Sequence, residues 1–357
     1  MLHVAGRLSD RGGADWHLRG VLDAQAADRE PILAVGRREA GAEAPCAVHV
    51  VPGLEARERA PVELDPLLEQ LRPDLVHLHN LTNPAVLEWG AERGALLTLQ
   101  DHRAFCPSRG KWTADGRVCR EPMERETCRG CFEEPGYFEA IYALTGERLR
   151  VLRRLGVLVL SEYMRDELVR TGVPRERLAV VPPFVHGLDP GDLPRSSRHV
   201  LFAGRLVEAK GVRDAIEAWR GSGVELPLWV AGAGPLRPEL ERAGARCLGW
   251  LPRARLAAAY RDAAALLLPS RWQEPFGLVG LEALSFGTPV VAWDSGGVRE
   301  WHPAGAGLVA WGDVPGLAWE LRRAVAEGDD VGTPPGFDRA TLMRRLDAAY
   351  AELAGPA

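Results

Sequence analysis

Between Ala265 and Leu284 the chain changes its periodicity within a few residues. Ala265-Leu266-Leu267-Leu268-Pro269 is a short apolar run of the length expected for a strand buried on both faces. Pro275 follows a short polar stretch and suits the start of a helix. Leu278, Leu281 and Leu284 then recur at helical spacing. Glu274 therefore falls in a strand-to-helix loop, and Glu282 lies about one and a half turns into the helix. In open parallel sheets such loops, at the carboxyl ends of strands, are where ligands bind. Phe276, Gly277 and Leu278 bring backbone N–H groups to the helix start, suited to a phosphate or sugar oxygen.

The rest of the chain repeats this alternation. Short apolar runs at Leu2–Ala5, Ile32–Val35, Ala47–Val51, Leu75–Leu78, Leu96–Leu99 and Val157–Leu160 are separated mostly by helical patterns. A second series runs through Val200–Ala203, Leu228–Val230, Arg246–Leu248, Leu266–Leu268, Val290–Ala292 and Leu308–Ala310. Strands alternating with helices predict an α/β fold with parallel sheets covered on both faces. At 357 residues the chain suits two such domains. The proline-broken stretch Val181-Pro182-Pro183-Phe184-Val185-His186-Gly187 cannot hold a helix or an interior strand, and marks the hinge. The expected organisation is a first domain over 1–185, a second over 186–340, and a terminal helix over 341–357.

Composition narrows the class. Hydrophobic residues make up 46% and the net charge is -5, which gives no basic footprint for nucleic acid. No apolar run reaches the ~18 residues of a membrane span, and the first residues lack the pattern of a secretion signal. A cytoplasmic location is expected, so the six cysteines are not expected to form stable disulfides.

Four of those cysteines form a group. Cys106, Cys119, Cys128 and Cys131 are separated by twelve, eight and two residues, and Asp115-Gly116 predicts a hairpin over Lys111–Cys119. A quartet ending in Cys-x-x-Cys suits a tetrathiolate metal site, with structural zinc first, then an iron–sulfur cluster or free redox thiols. Cys46 and Cys247 stand apart and read as small apolar core residues. The helical stretch Arg148–Leu155 carries several arginines. It suits a solvated face, or weak peripheral contact with an anionic membrane surface.

Other candidate residues sit at strand ends. Gly12-Gly13 follows the first strand, where glycine lets the backbone approach a ligand closely. His79-Asn80 and Gln100-Asp101-His102 end two further strands of the first domain. In the second, Gly204-Arg205 ends the first strand and Lys210-Gly211 opens the next helix, a sensible diphosphate cradle. Gly249-Trp250-Leu251 ends another strand.

Two glutamates separated by seven residues, the first followed by Pro-Phe-Gly, resemble the signature of the retaining glycosyltransferases of family 4. The stretch Gly287-Thr288-Pro289 to Gly296-Gly297-Val298-Arg299-Glu300 continues the match. The resemblance implies the GT-B fold, two Rossmann-like domains facing a central cleft. It implies a nucleotide-sugar donor, an acceptor that the sequence does not identify, and a same-face transfer that needs no cofactor for chemistry. By that resemblance Glu274 is catalytic. Gly13, Gly204, Arg205, Lys210, Leu251, Phe276, Gly277, Leu278 and Glu282 bind the donor, with Glu282 on the ribose. His79, Asn80, Gln100 and His102 fall on the acceptor side. Many relatives carry histidine where this chain has Gln100. Some carry a cysteine-rich insertion like residues 106–132, as a subgroup of the family. A GT-B sugar phosphorylase, a nucleotide-sugar epimerase, and a non-catalytic donor- or metal-binding module are the competing readings.

Overall fold

β-branched and leucine-rich runs with no room for polar residues must be buried on both sides, and the structure places them so. The computed structural model describes residues 1–303, 307–328 and 331–354. The chain divides into two compact units, Met1–His186 with Asp338–Ala357, and Gly187–Phe337.

The first unit opens with β1 (Leu2–Leu8), α1 (Gly13–Gln25), β2 (Ile32–Arg38), β3 (Ala47–Val50), α2 (Asp65–Leu71), β4 (Val76–His79), α3 (Pro84–Glu92) and β5 (Leu96–Leu99). Then come α4 (Arg125–Arg129), α5 (Pro135–Leu152), β6 (Gly156–Val159), α6 (Glu162–Arg170) and β7 (Leu178–Val180). Its seven strands are parallel in the order β3-β2-β1-β4-β5-β6-β7. Alternation along β1 sends Leu2 and Val4 into one apolar cluster, and Ala5 into another on the opposite face. The edge strand β7 escapes the sequence pattern because it is only three residues long before the prolines.

The second unit contains β8 (His199–Ala203), α7 (Val212–Ser222), β9 (Leu228–Ala231), α8 (Arg237–Arg242), β10 (Arg246–Gly249), α9 (Arg253–Asp262) and β11 (Ala263–Leu268). It ends with α10 (Leu278–Leu284), β12 (Val290–Trp293), β13 (Leu308–Val309) and α11 (Val314–Glu327). Its sheet has the order β10-β9-β8-β11-β12-β13, again parallel. Order reverses direction between β8 and β11, the type of switch point where doubly wound sheets bind ligands.

The last helix, α12 (Arg339–Leu353), belongs to the first unit, where Leu342, Leu346, Ala349 and Tyr350 pack with Val21, Leu96 and Leu158. Asp338 caps it by accepting from the Thr341 amide at 2.9 Å. Residues 355–357 of the expected helix lie outside the described residues. No helix among the described residues is long and apolar enough to cross a membrane.

One expectation needs correcting. Arg148 belongs to neither a solvated nor a membrane-facing surface: it is 5% exposed, and its guanidinium donates to the carbonyls of Thr82 at 2.8 Å, Arg103 at 2.9 Å and Arg57. Three loop carbonyls compensate the buried charge, and burial lowers its pKa to about 10. The exposed arginines of this stretch are Arg150, Arg153 and Arg154.

Candidate active site

The β11–α10 junction of the second unit builds a charged site in a buried setting. Glu274 is 3% exposed. Its Oε1 accepts from Lys210 Nζ at 2.6 Å and from the Ser270 hydroxyl. Burial pushes the carboxyl up, but attraction from Lys210 and hydrogen bonds from Lys210, Ser270 and Trp272 outweigh it and hold the pKa below the usual value. Glu274 is thus a carboxylate at neutral pH. Burial lowers Lys210 against the opposing pull of Glu274.

Lys210 reaches this point because two loops are tied together. The amides of Arg271 and Trp272 donate to Ala209 O at 3.0 and 3.1 Å, and Arg271 forks onto Asp214 at 2.6 and 2.8 Å. Gly211 then turns the chain into α7 with φ 68°; a Cβ there would stand 1.7 Å from Pro269 O. The Trp272 ring lies 4.3 Å from Lys210 Nζ and 5.7 Å from the Arg205 guanidinium carbon, a cation–π floor under both positive groups. Helix α7 therefore begins at Val212, with Lys210 in a 3-10 turn just before it.

The far side of Glu274 is held by the segment after β12. Gly297 donates to Glu274 O at 2.8 Å, Ser295 Oγ accepts from the Glu274 amide at 3.3 Å, and Gly296 donates to Gln273 Oε1 at 3.0 Å. Gly296 has φ 57°, and a Cβ there would meet Glu274 O at 2.2 Å. Two sequence-distant loops thus fix one carboxylate.

Glu282 lies on α10, 3% exposed. Arg253 donates to its Oε1 at 2.6 Å and Tyr260 to its Oε2 at 2.9 Å. Burial and the neighbouring Glu282 charge keep the Tyr260 hydroxyl protonated. Phe276, Gly277 and Leu278 precede the first intrahelical bond, from Gly280 N to Gly277 O at 2.9 Å, so their amides are those a helix leaves unpaired at its start. Leu251 is half-buried and follows β10 beside Trp250, which is 44% exposed. Gly204 ends β8 and donates to Ala231 O at 2.9 Å. Arg205, Lys210, Trp272, Ser270 and Glu274 are therefore one cluster, and Glu282, Arg253 and Tyr260 another in the same unit. Trp272, Ser270, Arg253 and Tyr260 carry no spacing pattern of their own, and only their place beside the glutamates signals them.

In the first unit, Gly13 is exposed at the first position of α1. Asn80 (φ 49°) links the ends of β4 and β5: its Nδ2 donates to Asp101 at 3.1 Å and its Oδ1 accepts from the Gln100 amide at 3.1 Å. Gln100 Nε2 donates to His17 Nδ1 at 2.9 Å, a residue that sequence reasoning missed. Burial lowers His17 to about 4. Gln100 Oε1 and His17 Nε2 have no hydrogen-bond partner among the described residues. His102 bonds Tyr163 OH at 3.0 Å and is 2% exposed. His79 is turned into the sheet face beside His3.

The cysteine segment forms its hairpin, with Trp112 bridged to Val118 and Cys119 donating to Lys111 O at 2.9 Å. Lys111, 4% exposed, pairs with Glu167 at 2.9 Å and anchors the hairpin to α6. Burial lifts Cys128 to about 11, and Cys106, Cys119 and Cys131 add to the rise. The four thiols thus share a neighbourhood, although no three of these sulfurs lie within 4.8 Å of one another. Cys46 and Cys247 are half-buried against separate apolar clusters.

Two glycosyltransferase domain models match the chain, "Glycosyl transferase 4-like domain" over residues 12–183 and "Glycosyl transferases group 1" over residues 197–327, together most of its length. Each half of the chain thus matches a glycosyltransferase domain family. The chain is 27% identical over 241 residues to an uncharacterized glycosyltransferase of Methanocaldococcus jannaschii, covering 55% of this chain and 60% of that one. It is 33% identical over 208 residues to a glycogen synthase of Mycobacterium tuberculosis, covering 53% and 49%. It thus spans only about half to three-fifths of the length of these relatives. Among solved structures, Anabaena HepE in complex with UDP-glucose superposes with a TM-score of 0.65 over 99% of both chains at 16% identity. WaaG, a glycosyltransferase involved in lipopolysaccharide biosynthesis, gives 0.63 at 16% identity over 99% of this chain and 95% of that one. The fold is GT-B.

Proposed function

We propose that this chain transfers a sugar from a nucleotide-diphosphate sugar to an acceptor with retention of anomeric configuration. The observation that carries this reading is the buried, ionised Glu274 held by Lys210 beside Arg205 at a sheet switch point. Breaking the bond between the anomeric carbon and the diphosphate leaves negative charge on the phosphate and oxocarbenium character on the sugar. Arg205, Lys210 and the amides of 276–278 answer the first demand, because donors already gathered at the site stabilise the charge as it develops. Lys210 has three donor hydrogens and spends one on Glu274, so it can hold a phosphate oxygen as well. Glu274 answers the second demand by facing the developing positive charge. The departing phosphate oxygen takes the proton of the acceptor hydroxyl on the same face, and that hydroxyl oxygen forms the new bond. Glu282, held by Arg253 and Tyr260, takes the ribose hydroxyls. A second carboxylic acid for hydrolase-like chemistry is not needed.

That relatives are matched in UDP-glucose and UDP complexes supports a nucleotide donor. One curated relative is named a GDP-mannose-dependent mannosyltransferase, 26% identical over 73% of this chain, which keeps the base open. Gln100, with His17 behind it, and Asn80 are assigned to the acceptor side. The cysteine quartet is assigned a closed, structural zinc site without a role in bond-making. A panel of nucleotide sugars tests the donor reading: one of them, at 100 times its dissociation constant, should add about 2.7 kcal/mol of stability. Glu274→Gln should keep most of that stabilisation and lose turnover. If no nucleotide sugar stabilises the chain, the reading fails.

A further inference from the structure

Three histidines outside the donor site converge in the core of the first unit. His77 and His79 are two residues apart on β4, so both project from the same sheet face. His3 on β1 stands directly opposite His77 in the parallel register. His3 and His77 are fully buried and His79 is 4% exposed. One nitrogen from each of the three lies within 4.8 Å of the others, and His3 Nδ1 stands 2.9 Å from His79 Nε2. Two imidazole nitrogens sharing one zinc ion at ~2.0–2.1 Å in tetrahedral geometry stand roughly 3.3 Å apart. The His3–His79 pair is therefore within a few tenths of an ångström of chelating distance before any ion enters, with a His77 nitrogen inside 4.8 Å of both.

The surroundings also fit. Imidazole ligands are usually oriented by an outer hydrogen bond on the second ring nitrogen. His77 has two such partners, Tyr350 OH on Nδ1 at 2.9 Å and Thr98 Oγ1 on Nε2 at 2.7 Å; the Tyr350 hydroxyl is itself fixed by Gln25 Nε2 at 2.9 Å. One nitrogen can turn to an ion while the other keeps its partner. His79 Nδ1 has no hydrogen-bond partner among the described residues, whereas His3 has Gln25 as a polar neighbour. A neutral hydrogen-bonded trio would leave His79 Nδ1 unpaired in the core, which costs stability.

We propose that His3, His77 and His79 form a buried three-imidazole site for a divalent transition metal of the zinc class. Three nitrogen donors and no carboxylate select zinc, cobalt or nickel over magnesium or calcium. The fourth position is left to a small exogenous ligand such as water. The ion would cross-link β1 to β4 and, through Tyr350, fix α12 on the sheet, so its binding free energy would add to the folding energy of this unit. This site is separate in sequence and chemistry from the cysteine quartet.

The test uses the full chain, once unaltered and once as Cys106→Ser/Cys128→Ser, with cobalt(II) and zinc(II) alone as probes. The cysteine variant should still bind one ion per chain, with visible cobalt bands but no thiolate charge-transfer band, and a zinc X-ray absorption spectrum of three imidazoles with no sulfur. His79→Asn in that background should weaken binding at least a hundredfold. Thr98→Val should keep the ion, since it frees His77 Nε2 without removing a ligand. A folded cysteine variant that retains no ion after dialysis, or a bound ion with fewer than three imidazoles, would overturn the proposal. The spectrum of the parent decides the matter if His79→Asn does not fold.

Discussion

Lys210 Nζ sits 2.6 Å from Glu274 Oε1 and 4.3 Å from the centre of the Trp272 ring, so a single ammonium joins the loops that follow β8 and β11. The chain has only two lysines against its many arginines, and the other, Lys111, is also a buried ion pair.

Removing that ammonium strands a buried carboxylate. Lys210→Met should destabilise the second unit by about 3–5 kcal/mol, and Lys210→Met/Glu274→Gln should recover much of the loss. Chemical denaturation of the two single variants and the double provides the cycle. Additive single effects would show that the pair is not coupled.

Arg205 is tied less tightly to Glu274 and reports donor binding more cleanly. Arg205→Ala should weaken nucleotide affinity by about 1.5–3 kcal/mol with little change in stability. Glu282→Ala should weaken it as well. Calorimetry with the nucleoside diphosphate checks both, and unchanged affinity in Arg205→Ala would remove that residue from the site.

Acid should weaken the second unit through Asp262, the last residue of α9. Burial alone would raise its carboxyl, but hydrogen bonds from Arg261, the Ser196 amide, Arg195 and the Ser196 hydroxyl take it well below the usual carboxylate range. A depressed folded pKa means that the unfolded chain binds the proton first. The stabilisation is therefore complete above about pH 4 and is lost as pH falls below it. Asp262→Asn should lower stability at pH 7 and flatten its decline between pH 4 and 3. Denaturant melts across that range should show the flattening; an unchanged acid slope would contradict it.

Much of the fold was legible because parallel strands buried on both faces must be continuous apolar runs, and Leu266–Leu268 or Val290–Ala292 admit little else. Glu274, Arg205 and Lys210 were expected in loops after strands and Glu282 in the following helix, where the structure has them, but it was the resemblance to family 4 that singled them out. Arg148 was not, since a sequence cannot show that three loop carbonyls converge on one guanidinium. Nor could His3 be joined to His77 and His79, because their meeting depends on β1 pairing with β4 across more than seventy residues. His17 behind Gln100 was missed for the same reason.

The cysteine hairpin makes its own prediction. Purified, freshly reduced chain should carry zinc bound by sulfur, and Cys128→Ser should lose that sulfur-bound zinc while nucleotide binding in the second unit persists. Elemental analysis with X-ray absorption reads both results. Iron with sulfide would replace zinc by a cluster, and a chain without sulfur-bound metal would leave the quartet as thiols.

The most direct measurement follows the anomeric proton by NMR while the chain consumes the nucleotide sugar that stabilises it, in the presence of candidate acceptors. The account predicts a product with the same anomeric configuration as the donor, and release of the nucleoside diphosphate. A product of inverted configuration would contradict same-face transfer at Glu274.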